Sequence, residues 1–266
     1  MTAAATGSRT TVSVVIPVKD DDTELRRCLR ALALQTRLPD EIVVVDNGST
    51  DSSAEVARAA GARVVRCDEP GIPAASSCGY DAAEGDIILR LDADSLPSHT
   101  WVQTMSEALE RAPDVAAFTG GARFIDGPRR LRRPLAALYL GAYALVTFSA
   151  LGHLPLFGSN LAFRASGWRD VRDEVHRHDP EVHDDLDLAF HLGLRHRIRY
   201  QPRAAMGISM RPFGDRVGFR RRVWRGYHTV VSHWPEDFPP VRWQKVALRR
   251  TLHGLDVPTP RSRATR

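Results

Sequence analysis

Short β-branched runs at 12–18 (VSVVIPV), 41–45 (EIVVV), 63–66 (RVVR) and 86–91 (DIILRL) alternate with helical patterns at about 22–35, 50–60 and 74–83. Runs this short and apolar are typical of strands covered on both faces. Gly61 and Gly85 stand where helix stops are expected. Strand and helix in strict alternation imply a parallel sheet, because each crossover must return the chain to the end at which the next strand begins. A chain of 266 residues can bury a core of that size. Its 43% hydrophobic and 26% charged residues argue against a disordered chain and against a multi-span membrane protein.

In an open parallel sheet, ligands bind beyond the carboxyl ends of the strands. Here those ends carry Lys19-Asp20-Asp21-Asp22, Asp46-Asn47-Gly48-Ser49-Thr50-Asp51 and Asp92-Ala93-Asp94. The first turn holds three aspartates and no glycine, which argues against a glycine-rich dinucleotide site or P-loop. Bare pyrophosphate would be repelled by this rim. A divalent cation between carboxylates and phosphates removes the conflict, since hard cations prefer both kinds of oxygen. A metal-bridged nucleotide diphosphate is the ligand that this pattern suits.

Five segments in order, VSVVIPVKDDD, EIVVVDNGSTD, GDIILRLDADSLP, FGSNLAFR and HDDLDLAFHLG, resemble the inverting family 2 glycosyltransferases of the GT-A fold over about residues 12–210. The resemblance implies an α/β nucleotide-binding domain with a mainly parallel central sheet and C-terminal helices. It implies that Pro17, Val18 and Asp20 line the nucleoside pocket and that Asp46 bonds the base. Asp92 and Asp94 would be the Asp-x-Asp pair, Asp92 nearer the ribose and metal shell and Asp94 on the metal, with Mn2+ or Mg2+ as the ion. Asp185, beside Asp184, would be the general base that takes the proton of an acceptor hydroxyl. The donor would be a nucleotide-diphosphate sugar, most commonly of uridine diphosphate. Apolar residues at Leu186, Phe190 and Leu194 independently predict a helix from about Asp184. The same two aspartates would therefore also suit a helix N-terminus as caps.

The chain departs from the family pattern twice. Ser76-Ser77 replaces a frequent Arg-Asn, and Gly207-Ile208 occupies the stretch where many members place a metal-binding histidine, leaving His183 and His228 as candidates. These gaps support an alternative reading, a catalytically degenerate sugar-nucleotide-binding or membrane-associated scaffold protein.

The charge is divided unevenly. Residues 1–100 carry ten basic and sixteen acidic side chains, residues 101–266 twenty-seven and sixteen. The uncharged stretch 135–152 follows Arg129, Arg130, Arg132 and Arg133 and would extend about 27 Å as a helix, barely a bilayer core. Glycine, serine and threonine dilute it, and a crossing would separate the presumed base from the donor motifs. A helix packed on the domain or lying in a membrane surface is expected instead. Residues 211–256 are expected to form basic, aromatic helices, at about 215–233 and 240–254, that face membrane or acceptor. Residues 1–10 and 257–266 are expected to be disordered, and 11–210 to be the GT-A domain. A lipid-linked acceptor and peripheral membrane contact fit this layout; nucleic acid does not, for want of a recognised binding module. Cys28, Cys67 and Cys78 show neither a disulfide set nor metal spacing, and no signal-like segment opens the chain, so a cytoplasmic location is expected, with the inner face of the membrane as the surface met by the tail.

Overall fold

The computed structural model describes residues 9–210 and 216–255. The expectations for residues 1–8, 211–215 and 256–266 lie outside the described residues. The first half follows the alternation: β1 (Val12–Val18), α1 (Asp22–Ala33), β2 (Glu41–Asp46), α2 (Ser53–Ala59), β3 (Arg63–Arg66), α3 (Ile72–Ala82) and β4 (Ile87–Arg90). The second half is β5 (Leu96–Pro97), α4 (Trp101–Arg111), β6 (Val115–Phe124), α5 (Arg132–Leu151), β7 (Leu161–Arg164), α6 (Ala165–Val171), α7 (Asp184–Arg195), β8 (Arg197–Ile208), α8 (Arg216–Ser232) and α9 (Pro239–Leu255).

The strands form one sheet in the order β3-β2-β1-β4-β7-β6-β8-β5. Strands β1 to β4 are parallel, β7 runs antiparallel to both β4 and β6, and β6 pairs parallel with β8. Along β1 the side chains alternate between two cores: Val12, Val14, Ile16 and Val18 pack with Leu25 and Leu29 of α1 and Met105 of α4, while Val15 packs with Ala75 and Tyr80 of α3 and Phe190 of α7. Helices thus cover both faces, and burial of each Leu, Ile or Phe side chain contributes about 1.5–3 kcal/mol. Helix α3 lies close on the sheet because residue 79 is glycine; a Cβ there would sit 2.8 Å from Val45 Cγ2 and overlap Val15.

The two asparagines of the chain both tie backbones together. Asn47 Nδ2 donates to the carbonyls of Cys67 (3.0 Å) and Glu69 (2.6 Å), and its Oδ1 accepts from Gly71 N, a residue at φ +119°. Asn160, fully buried, donates to Gly121 O and Ala204 O, both at 2.8 Å, and accepts from Trp101 Nε1 at 2.7 Å. Cys67 and Cys78 bring their thiols to 2.9 Å of each other, a proximity that their spacing in the sequence does not suggest.

Helix α5 is long and apolar enough to cross a membrane by length and composition. Strands β6 and β7, which flank it, are nonetheless hydrogen-bonded neighbours, with Ala117 opposite Phe163 and Thr119 opposite Leu161. Both ends of α5 therefore return to one sheet. It packs on the domain through Ala136, Thr147, Ala150 and Leu151, while Leu138, Leu145 and Val146 are about 70% exposed. Helices α8 and α9 close the same side. Arg242 of α9, completely buried, donates to Leu151 O and Phe190 O and pairs with Asp237.

Candidate active site

The carboxyl edge of the sheet gathers the first group of residues. In the parallel register Val18 stands opposite Asp46, and Val15 opposite Arg90, so the turns after β1, β2 and β4 open on one rim. Pro17 is half-buried there, whereas the Val18 side chain packs in the core and its carbonyl accepts from Asn47 N. Asp20 is exposed at φ +49°, a left-handed conformation that aspartate tolerates better than most residues. Its Oδ1 accepts from Thr50 N (2.6 Å) and Thr50 Oγ1 (3.0 Å), and these bonds hold its carboxyl below the usual range. Asp20 thus clasps the β2–α2 turn. Asp46 Oδ1 accepts from Ser49 N at 3.0 Å in the same turn.

The centre of the rim is organised by a residue that the sequence motifs do not mark. Arg90, the last residue of β4, has a side chain only 4% exposed, and its Nη2 contacts both Asp92 Oδ1 (3.0 Å) and Asp184 Oδ2 (3.2 Å). The Asp-x-Asp turn and the N-terminus of α7 therefore meet at one guanidinium. Burial opposes the charge on Arg90, but Asp184 and Asp92 more than offset it and push its pKa up. Ser76 donates to the same oxygen of Asp184 at 2.7 Å, so the position where relatives often carry arginine is a small hydroxyl beside an arginine from β4. The signal for Arg90 in the sequence is a lone cation in an otherwise apolar run, IILRL.

Asp185 lies one residue on, 6% exposed. Its Oδ2 accepts from Gly158 N at 2.6 Å; its Oδ1 accepts from Leu186 N at 2.7 Å and lies 3.2 Å from His183 Nδ1. Gly158 is required: a Cβ at 158 would overlap Arg90 Nη1 and lie 3.0 Å from Asp185 Oδ2. The next residue, Ser159, donates a short hydrogen bond to Asp92 Oδ2, so the segment FGSN joins both acidic motifs. The paired aspartates separate electrostatically. Burial raises the pKa of Asp184, only partly countered by Arg90. Burial also pushes Asp185 up, but His183, Arg90 and the Gly158 N–H together hold it below the ordinary 3.8. Asp185 is therefore the more acidic member of the pair, and carboxylate oxygens offer about four acceptor sites, enough for one more donor.

The residues fit a divalent cation as a two-carboxylate site. Asp94 is half-buried in the turn that Ser95 N closes on Asp92 O at 3.0 Å. Burial first, then the charges of Asp94 and Asp92, raise the Cys28 thiol, which places both carboxylates near α1. Two hard oxygen donors two residues apart suit Mg2+ or Mn2+. Asp92 is shared with Arg90 and Ser159, and Asp94 stands two residues on in the same turn. No histidine fits at the end of β8: Gly207 pairs with Leu96, and a Cβ there would already lie 2.6 Å from Ile125 Cγ2. His228 faces Asp179 at 2.8 Å and His183 faces Asp185, so neither takes the missing place on the Asp94 side.

Comparison with known proteins speaks to family and fold. The family model described as glycosyl transferase family 2 matches residues 13–166. Glycosyltransferase AglE of Haloferax volcanii is 33% identical over 100 residues, 35% of this chain and 33% of that protein. Undecaprenyl-phosphate 4-deoxy-4-formamido-L-arabinose transferase of Pseudomonas aeruginosa is 40% identical over 93 residues, 31% of this chain and 27% of that protein. The chain thus spans a third or less of the length of either relative. Among solved structures, Mycobacterium tuberculosis glucosyl-3-phosphoglycerate synthase with Mn2+, uridine diphosphate and glucosyl-3-phosphoglycerate superposes with a TM-score of 0.57 at 22% identity, covering 84% of this chain and 79% of that one. S. aureus TarS superposes with a TM-score of 0.58 at 16% identity, covering 76% and 37%. These likenesses show the fold, which is GT-A. Because the family match spans more than half of its residues, the chain belongs to glycosyl transferase family 2.

Proposed function

We propose that the protein moves a sugar from a nucleotide-diphosphate sugar to an acceptor hydroxyl with inversion, Asp185 acting as general base. The observation that carries this reading is the Arg90 bridge, which joins Asp92 of the donor turn to Asp184 beside the base. The uridine diphosphate and Mn2+ named for the mycobacterial synthase make uridine diphosphate the first donor nucleotide to try and Mn2+ the first ion.

Asp94, with Asp92 behind it, would hold the cation, whose chemistry is to neutralise the departing diphosphate. The chain itself does the rest. Pro17, Asp20 and Asp46 border the nucleoside side of the rim. Arg90 fixes the spacing between donor turn and base. Asp185 receives the hydroxyl proton at a carboxylate oxygen as the acceptor attacks the anomeric carbon from the face opposite the diphosphate, a contribution of about 10²- to 10⁴-fold. Asp184, buried beside it, keeps Arg90 and Ser76 in place.

The acceptor side is bordered by α5 and α8. Thr229 Oγ1 accepts from His183 N at 2.8 Å, and Tyr143, whose hydroxyl donates to Leu156 O, is half-buried near the charge of Asp185. The outer faces of these helices expose Leu138, Leu145, Val146, Val223, Trp224 and Tyr227 among arginines. That surface, together with the undecaprenyl-phosphate relative, supports a lipid-linked acceptor met at the cytoplasmic face of a membrane.

A thermal-shift panel of nucleoside diphosphates with and without Mn2+ tests the donor reading. A ligand at a hundred times its Kd stabilises by about 2.7 kcal/mol. Asp185→Asn is expected to keep that shift and lose transfer. Absence of a metal-dependent shift with every nucleotide would reject the proposal, and full transfer by Asp185→Asn would reject the base.

A further inference from the structure

Behind the acidic pair, α7 carries a second constellation that the transfer reaction does not use. Asp187 and His191 lie one helical turn apart on the same face of α7, the i, i+4 spacing by which a helix offers two ligands to one ion. His176 reaches them from the loop after α6, and His233 from just beyond the end of α8. Four side chains converge: Asp187, His176, His191 and His233 each bring one ligand atom within 4.8 Å of the others.

We propose that these four residues form a structural zinc site, independent of the donor-side cation. Three of the donor atoms stand at the spacing of one face of a tetrahedral shell. With Zn–N and Zn–O bonds of about 2.0–2.1 Å, the edges of a tetrahedron are about 3.3–3.4 Å. His191 Nε2 lies 3.4 Å from Asp187 Oδ1, His233 Nε2 lies 3.3 Å from the same oxygen, and the two Nε2 atoms are 3.3 Å apart. The fourth contact, His176 Nδ1 to Asp187 Oδ1 at 2.7 Å, is a hydrogen bond that opens by about 0.6 Å to reach the same edge.

The far sides of the rings support the assignment. His233 Nδ1 is 2.7 Å from Thr229 O, which can only accept, so Nδ1 carries the proton and neutral Nε2 presents a lone pair to the cluster. His191 Nδ1 lies 3.6 Å from Glu174 Oε2, close enough for the carboxylate to orient the ring once the contact shortens on metal binding. The His233 lone pair and the Asp187 oxygen, 3.3 Å apart, repel each other unless a metal ion at the centre of the cluster, or a proton shared with His191 Nε2, bridges them. The Asp187 and His233 side chains are each only 4% exposed, so water does not screen that repulsion. Imidazole with a carboxylate suits zinc among common biological ions. Four protein ligands fill a tetrahedral shell and leave no position for substrate, which makes the site structural. Its effect is to pin α7, with Asp184 and Asp185 at its start, to the 172–183 loop and to the end of α8.

The test is the zinc content of untagged, full-length protein by inductively coupled plasma mass spectrometry, which reads the metal without reference to transfer. One zinc per chain is expected, persisting in Asp94→Asn and lost in His191→Ala and His233→Ala. Glu174→Gln, which touches no donor atom and removes the carboxylate facing His191 Nδ1 together with its ion pair to Arg195, is expected to bind zinc about 10- to 100-fold more weakly in chelator competition, whereas Arg195→Gln, which removes the ion pair and leaves the carboxylate, is expected to bind it as wild type does. Co2+ loaded into chelator-stripped wild type is expected to give the visible absorption of a four-coordinate centre. Wild type that holds no zinc and gains no thermal stability on adding it would overturn the site, as would undiminished zinc in both alanine variants. In the first case the cluster holds a shared proton instead. Because donor binding is read separately, failure here leaves the glycosyltransferase reading untouched.

Discussion

Replacing Arg90 by methionine keeps the length and apolar stem of the side chain and removes the charge shared by Asp92 and Asp184. Asp184 is 11% exposed and has Asp185 beside it, so the variant leaves a buried carboxylate with a like charge as neighbour and Ser76 as its remaining bonded partner. Breaking a buried pair from one side typically costs about 3–5 kcal/mol. In a chain of this size each kcal/mol lowers Tm by roughly 2–4 °C, so a fall on the order of 10 °C is expected at neutral pH. The loss carries a pH signature. Asp184 already has a raised pKa, and removing Arg90, the main influence lowering it, raises it further. A group whose folded pKa is raised contributes stability below its unfolded value and loses it as pH rises through the folded one. The deficit of Arg90→Met should therefore shrink as pH falls toward 4 and grow toward 8. Arg90→Lys, which restores charge without the planar fork, should recover part of it. Scanning calorimetry across that range is the assay. A Tm within about 2 °C of wild type at pH 7.5, or a deficit that does not vary with pH, would refute the claim that Arg90 neutralises the acidic rim.

Other consequences are open to measurement. Gly158→Ala should lower stability by about 1–3 kcal/mol through overpacking and impair transfer, since the methyl group meets Arg90 and Asp185; wild-type unfolding and turnover would contradict the packing described. The pKa of His183 is raised above 6.5, against its burial, by its bond to Asp185, so it stabilises the fold below pH 6.5 and progressively less as pH rises through its folded value. His183→Gln should flatten the fall in Tm between pH 6 and 9, and an unchanged slope would count against that pairing. Asp20→Ala should melt below Asp20→Asn, because asparagine tolerates φ +49° and can still accept from Thr50, whereas alanine does neither; equal melting would show that the turn does not depend on the clasp. Anionic vesicles should cosediment the protein in low salt, and serine at Leu138, Leu145 and Val146 together should reduce binding while leaving soluble-nucleotide binding intact; undiminished cosedimentation would remove α5 from the membrane contact.

The sequence was most legible where neighbours in the chain are neighbours in space. Strands β1 to β4 and helices α1 to α3 fall within a few residues of the expected ranges, because alternating β-branched runs and glycine stops are local signals. Strand β6 carries Gly120 and Gly121 at its middle, and β8 reads RIRYQPRAAMGI, so neither shows a clean period; their pairing depends on each other and on β7 and β5, all remote in the chain. At the site, the aspartates were visible as strand-end carboxylates. Arg90 was hidden among apolar residues because its partner Asp184 is remote in the chain, and the role of Gly158 depends on that same meeting. Asn47 and Asn160 fell within the quoted motifs, yet apart from the Trp101 Nε1 bond to Asn160 their side chains bond to backbone. The histidines of the second cluster come from a loop, a helix and the far end of another helix, a distribution without local pattern.

Because β6 and β7 are bonded to each other across the sheet, everything from residue 125 to 160 is a loop-out in the topological sense: the polypeptide departs and rejoins at adjoining places. Helix α5 can then be exchanged as a module, provided that replacements for Ala136, Thr147, Ala150 and Leu151 fill the same volume. Two proteins sharing the carboxylate rim could thus address a bilayer or a water-borne acceptor by differing only in the outward residues of one helix.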